Sequence, residues 1–166
     1  MALTVIGDTA YSFYPETNDN SINRLVSLDL RTLHVDSSTT IATPGKRLAT
    51  IVSHRGELYG FWWTSSDAQQ AGIINSHTGE VLRWFSETPY FVDYVDNLSS
   101  DGINLFHCRT SYFDNRVVAF DPVTMSTVKQ NRNPIFSSAC LTWDGANFWV
   151  VDYETQTFAK IKLEGM

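Results

Sequence analysis

Asp29-Leu30-Arg31-Thr32, Asn75-Ser76-His77-Thr78 and Asp121-Pro122-Val123-Thr124 are three copies of one short phrase, set at intervals of 46 (29 to 75, 75 to 121). In each, an Asx side chain can accept the backbone N–H two residues on, and the Thr favours extended backbone in the next segment. The phrase therefore reads as the turn of a β-hairpin. A second series, Pro44, Pro89 and Pro134, recurs every 45 residues (44 to 89, 89 to 134). A period in the mid-forties with strand-like content is the signature of propeller blades, each of which needs its neighbours to bury its faces.

Outward from that hairpin, alternation and β-branched residues predict the rest of each repeat. First strands fall at 3–6, 48–52, 90–94 and 139–143. Turns come next at Gly7-Asp8, His54-Arg55-Gly56, 97–102 and Asp144-Gly145, rich in residues that tolerate positive φ or cap their own backbone. Second strands are expected at 9–14, 57–63, 103–109 and 147–152, and third strands at 24–28, 71–74, 116–120 and 158–163. Fourth strands come after the Asx phrase at 33–37, 81–85 and 126–130, and a Thr-Pro or Asn-Pro step then ends strand pairing.

The middle copy, Asn75-Ser76-His77-Thr78-Gly79-Glu80 with Trp84 after it, resembles the Asp-x-x-Thr-Gly turn in the outer hairpin of PQQ-like and related β-propeller blades. Asn75 stands where that pattern has Asp, Leu33 and Met125 stand where it has Gly, and Trp84 falls one position late. The resemblance implies blade architecture over nearly the whole chain and points to no specific family. Four blades are too few for it to bring a quinone, or an enzyme activity, with the fold, so no cofactor is expected.

The expected fold is all-β: one domain over 1–166, a four-bladed β-propeller of antiparallel four-stranded blades, with blades near 1–43, 44–88, 89–133 and 134–166. The last blade is three-stranded, because no fourth strand comes after 158–163. That edge carries Lys160 and Lys162, half of the four lysines, and lysine on an open edge discourages further pairing. A closed monomeric ring is the favoured reading. Two chains joined into an eight-bladed ring, or a strand supplied by another protein, are the alternatives.

Composition narrows the partners. Hydrophobic residues at 43% and aromatics at 13% of 166 residues suffice for one core. A net charge of −6 argues against nucleic acid, whose phosphates need clustered Lys and Arg. No run of about 18 apolar residues offers a membrane span, and the first residues lack a signal-peptide pattern, so the chain reads as soluble. Cys108 and Cys140 sit in apolar strand contexts and read as two buried thiols rather than a disulfide.

In antiparallel blades the second-to-third and fourth-to-first connectors share one face. Those connectors, at 15–23, 64–70, 110–115 and 154–157 with 37–47, 86–90 and 131–138 beside them, are rich in Ser, Thr, Asn, Asp and Tyr. Trp63, Arg109 and Asp152, with Tyr112 and Tyr153 close by, would ring the mouth as ligand-binding candidates. Hydrogen-bonding groups beside aromatic plates suit a carbohydrate or a protein surface. The same residues also suit ordinary strand ends and solvated loops.

Trp62 and Trp63 are adjacent and must point to opposite faces, so at most one needs to be core. Trp84, Trp143 and Trp149 are expected between blades. The four histidines occupy different repeat positions without metal-site spacing, and His107, inside a strand, is the one expected to be buried. The acidic stretch of Asp93, Asp96 and Asp101 has Leu98 where a calcium loop needs oxygen, so no metal is assigned. No Gly-x-Ser-x-Gly elbow is present. Together these features read as a non-catalytic, lectin-like recognition module, with a structural or assembly component as the alternative, docking through the loop face or the open last blade.

Overall fold

The computed structural model describes residues 2–16, 21–64, 69–85, 98–111, 114–135, 138–152 and 154–162. They form fifteen strands in four antiparallel sheets. Blade 1 is β1 (Leu3–Ile6), β2 (Thr9–Pro15), β3 (Ile22–Asp29) and β4 (Val35–Ala42). Blade 2 is β5 (Lys46–His54), β6 (Glu57–Thr64), β7 (Gln69–Ile74) and β8 (Val81–Trp84). Blade 3 is β9 (Leu98–Ser100), β10 (Leu105–Ser111), β11 (Asp114–Phe120) and β12 (Thr127–Arg132). Blade 4 holds β13 (Ser138–Trp143), β14 (Phe148–Asp152) and β15 (Thr157–Ile161). The sheets follow one another as propeller blades, so the chain is a four-bladed β-propeller whose last blade has three strands.

The repeated phrase builds the same turn three times. Asp29 Oδ1 accepts the N–H of Arg31 (2.7 Å) and Thr32 (3.0 Å); Asn75 Oδ1 accepts those of His77 and Thr78, and Asp121 Oδ1 those of Val123 and Thr124. The next residue then adopts left-handed backbone, at φ 57° for Leu33, 74° for Gly79 and 59° for Met125. Its N–H donates to the Asx carbonyl at 2.8 Å in all three. A register shift in the adjoining third strand accompanies each turn, between Ser27 and Leu28, Ile73 and Ile74, and Ala119 and Phe120.

Two expectations change. In blade 3 a strand runs at Leu98–Ser100, where the turn was expected, and the turn occupies 101–104 rather than 97–102; the strand expected at 90–94 lies outside the described residues. Asp101 Oδ1 takes the N–H of both Ile103 and Asn104 at 2.7 Å, which fixes the turn there, while Leu98 is buried in the core. In blade 1 the segment 37–42 is strand, not connector. It pairs with β3 through Ile22↔Ala42, and Ser27 and Ser37 join their hydroxyls at 2.7 Å.

Alternation along the strands gives every blade two faces, and three apolar cores fill the seams between successive blades. Tyr11, Phe13, Leu25 and Ile41 of blade 1 meet Leu48, Ile51, Leu58, Trp62 and Ile74 of blade 2. Val52, Tyr59, Phe61 and Ala71 meet Leu98, Leu105, Val118, Phe120 and Met125 across the second seam. Phe106, Cys108, Val117 and Ala119 meet Leu141, Phe148, Val150 and Ile161 across the third. Among the described residues no such core joins blades 4 and 1.

Trp62, 1% exposed, enters the first seam, while Trp63 is half-buried against the second, so both pack, on opposite faces. Gly60 makes room for that indole: a Cβ there would strike the Trp62 ring and lie 2.7 Å from Ile74 Cδ1. Cys108 and Cys140 are free thiols, but only Cys108 is buried; Cys140 is exposed because it lies in the irregular start of β13. His107 is buried as expected, and so is His54, which the sequence places in a turn. His54 closes β5 against blade 3, where its Nδ1 hydrogen-bonds Ser100 Oγ at 2.8 Å.

Candidate functional site

The predicted mouth residues come from equivalent places in the blades. Trp63 lies near the end of β6, opposite Arg47 and Gln69. Arg109 is in β10 opposite Arg116, and Asp152 ends β14 opposite Thr157. Tyr112 and Tyr153 lie outside the described residues. Asp152 is engaged locally, since its Oδ1 accepts the Glu154 N–H (3.0 Å) and its Oδ2 accepts the Thr155 hydroxyl (2.9 Å). Gln156 then takes φ 53°, so Asp152-Tyr153-Glu154-Thr155 is a fourth copy of the Asx phrase, used between second and third strands instead of third and fourth. Its spacing from Asp121 is off the 46-residue beat, which hid it in the sequence.

A recess lies elsewhere, between the outer parts of blades 1 and 2, where a groove of about 520 Å³ opens. β4 and the step to Pro44 supply Thr40, Ala42 and Thr43 on one wall, and the Asx hairpin of blade 2 supplies Thr78, Gly79 and Glu80 on the other. Trp84 and Lys46 lie between them. The Lys46 ammonium stands 3.7 Å from the centroid of the Trp84 ring, within cation–π range. Trp84 also meets Trp62 edge-on, with centroids 4.7 Å apart at 61°. Expected only as packing, Trp84 thus both packs and lines a groove.

The two walls are tied together. Thr39 Oγ1 donates to the Thr78 carbonyl at 2.9 Å, and Gly79 sits so close to β4 that a Cβ would collide with the Thr40 carbonyl oxygen. That approach explains why glycine occupies this one of the three left-handed positions. No local signal in the sequence joins Lys46 to Trp84, because β5 and β8 are opposite edges of their sheet.

A second groove, of about 470 Å³, runs between blades 3 and 4 and is lined by Asp101, Trp143, Asn147, Phe148, Lys160 and Lys162. Trp143 is partly buried against the third seam, as expected. Trp149 is not between blades: it is half-exposed on the opposite face of blade 4 and donates its indole N–H to Asp144 Oδ2 at 2.6 Å. That bond, seconded by the Ala146 and Asn147 amides, holds the Asp144 carboxyl at a pKa of about 2. Among the described residues no three His, Cys, Asp or Glu side chains gather into a metal-binding group. Among them, too, no helix is long and apolar enough to cross a membrane.

No protein-family model matches the sequence, and no curated protein matches it. Its shape is similar to several solved structures. The computationally designed Ika4 protein is 9% identical at a TM-score of 0.53, over 96% of this chain and 88% of that one. The Cps50 (Swd1) β-propeller domain of Myceliophteria thermophila is 16% identical at 0.56, over 98% of this chain and 53% of that one. A chain of a nidogen/laminin complex is 15% identical at 0.58, over 97% and 58%. At these identities the likeness is one of fold: the chain is a β-propeller, and it spans little more than half the length of the latter two.

Proposed function

We propose that this propeller is a non-catalytic recognition module whose groove between blades 1 and 2 takes a carbohydrate. The observation that carries the reading is the lining of that groove: the hydroxyls of Thr40, Thr43 and Thr78, the Glu80 carboxylate, and the Lys46 ammonium held over the Trp84 indole. Sugars present many hydroxyls, which suit a lining of side chains that donate, accept or do both. The floor is prebuilt, since Trp84 is braced by Trp62 and the two walls are joined through Thr39 and Thr78. A preorganised site loses less free energy on ordering.

A glycan array probed with the wild type tests this directly. Glu80→Ala with Thr40→Ala, both exposed, should lower the affinity of the bound glycan tenfold or more at an unchanged melting temperature. Absence of any glycan signal, or wild-type affinity in the double variant, would remove the carbohydrate reading.

A second reading, a component of a larger assembly docking through its last blade, is supported by the outer edge of β15, unpaired among the described residues, with Lys160 on it and Lys162 just past its end. It predicts no glycan binding and a solution mass that is a fixed multiple of 18.8 kDa.

A further inference from the structure

The three seams are one interface made three times. In each, the aromatic or aliphatic pair of a second strand faces the following blade: Tyr11 and Phe13 in blade 1, Tyr59 and Phe61 in blade 2, Phe106 and Cys108 in blade 3. Residues of opposite parity in the second strands face the preceding blade, with Leu58 in the first seam, Leu105 in the second, and Phe148 with Val150 in the third. Carried to the ends of the repeat, the pattern leaves one face of each kind unmatched.

Blade 4 offers the forward-facing half. Register places Trp149, Val151, Phe158, Lys160 and Thr142 on the face opposite Leu141, Phe148, Val150 and Ile161. Trp149 and Val151 hold the positions of Tyr11 and Phe13, yet they are only half-buried, and Phe158 is 78% exposed. Blade 1 offers the backward-facing half, with Leu3 paired to Ser12, Val5 to Ala10, and Ala10 and Ser12 to Leu28 and Val26. Leu3 is 71% exposed, Val5 43%, and Val35, opposite Leu28, 63%. A seam filled within the chain would cover both faces.

We infer that the occupant of these faces is a second copy of this chain: blade 4 of each protomer packs on blade 1 of the other, giving a two-fold ring of eight blades. This does not depend on the carbohydrate groove, which lies between blades 1 and 2. A head-to-tail interface of this kind closes when its rotation divides a circle and otherwise runs on as a filament. The halves are complementary because they are the halves the chain joins to itself three times. Contiguous exposed apolar side chains mark association surfaces.

The test is the solution mass of the full chain by light scattering at tens of micromolar. Twice 18.8 kDa is expected; a monomer, or a continuous series of larger species, would overturn the inference. Phe158→Lys and Leu3→Asp, at exposed positions on opposite halves, should each shift the chain to monomer with its circular dichroism retained. Mixed together, the two variants should recover a dimer at concentrations where neither dimerises alone, since one seam of the mixed ring pairs two wild-type faces. A dimer untouched by both substitutions, or a mixture that stays monomeric, would overturn the head-to-tail ring. The wild-type mass stands as a test even if a variant fails to fold.

Discussion

At the scale of single residues, the three left-handed positions after the Asx phrase show how one backbone requirement is met by different side chains. Leu33 is exposed, Met125 is buried in the second seam, and Gly79 is forced by its approach to Thr40. An L-residue in this conformation costs about 1–2 kcal/mol. Leu33→Gly should therefore raise stability by up to about 1 kcal/mol, after the extra chain entropy of glycine. Gly79→Ala should lower it by about 2 kcal/mol or more, because strain and collision add. Urea midpoints of the two variants check both signs. Two titrations belong here as well. Asp144 has its folded pKa held to about 2, so its stabilisation is complete above about 4 and is lost as the pH falls through about 2. The Trp149 indole N–H resonance should shift with that midpoint, and Asp144→Asn should abolish the step. His54 is lowered from 6.5 by burial first and by the Arg55 charge second, against Asp101 and Glu57. The folded state then prefers neutral imidazole, so stability is full above pH 6.5 and declines below it, and His54→Gln should flatten that decline in denaturation curves.

At the scale of elements, central strands and edges carry different loads. β6 buries Trp62 on one face and Tyr59 and Phe61 on the other, with Gly60 shaped to the indole. Trp62→Ala should cost about 3–5 kcal/mol, read from equilibrium unfolding, since the rigid walls of two blades cannot collapse into the space. β15 is the reverse case: a short outer strand with Lys160 exposed on it and Lys162 exposed just past its end. Replacing them by Thr and Val should promote edge-to-edge association, seen as species larger than the wild type in light scattering with each protomer still folded. Unchanged mass would show that the edge is guarded by something other than charge.

At the scale of the whole molecule, stability is distributed unevenly around the ring. Blades 2 and 3 each contribute to two apolar seams, whereas blades 1 and 4 contribute to one among the described residues. Repeat architectures draw their stability from nearest-neighbour interfaces, so amide exchange should be slowest in β6 and β10 and fastest in β15. Equal protection in all blades at low protein concentration would require a filled fourth seam. Much of the blade plan was legible in the sequence because the Asx turn is a local device: one carboxylate or amide, two N–H groups and a left-handed residue lie within five positions. Where the turn left its beat, at Asp152, the same chemistry was not legible as a turn, because the spacing no longer marked it. The groove at Lys46 and Trp84 was not legible, since it joins the two edge strands of a sheet to the outer wall of the neighbouring blade.

The sequence by itself determined the number of blades, nearly all the strands and the turns between them, because hairpins are made by residues close along the chain. Which faces meet was decided by tertiary structure alone. Two burials, of His54 against Ser100 and of Trp63 against the second seam, and one exposure, that of Trp149, depend on the rotation from one blade to the next. That rotation is set by packing across seams and leaves no periodic trace in the residues.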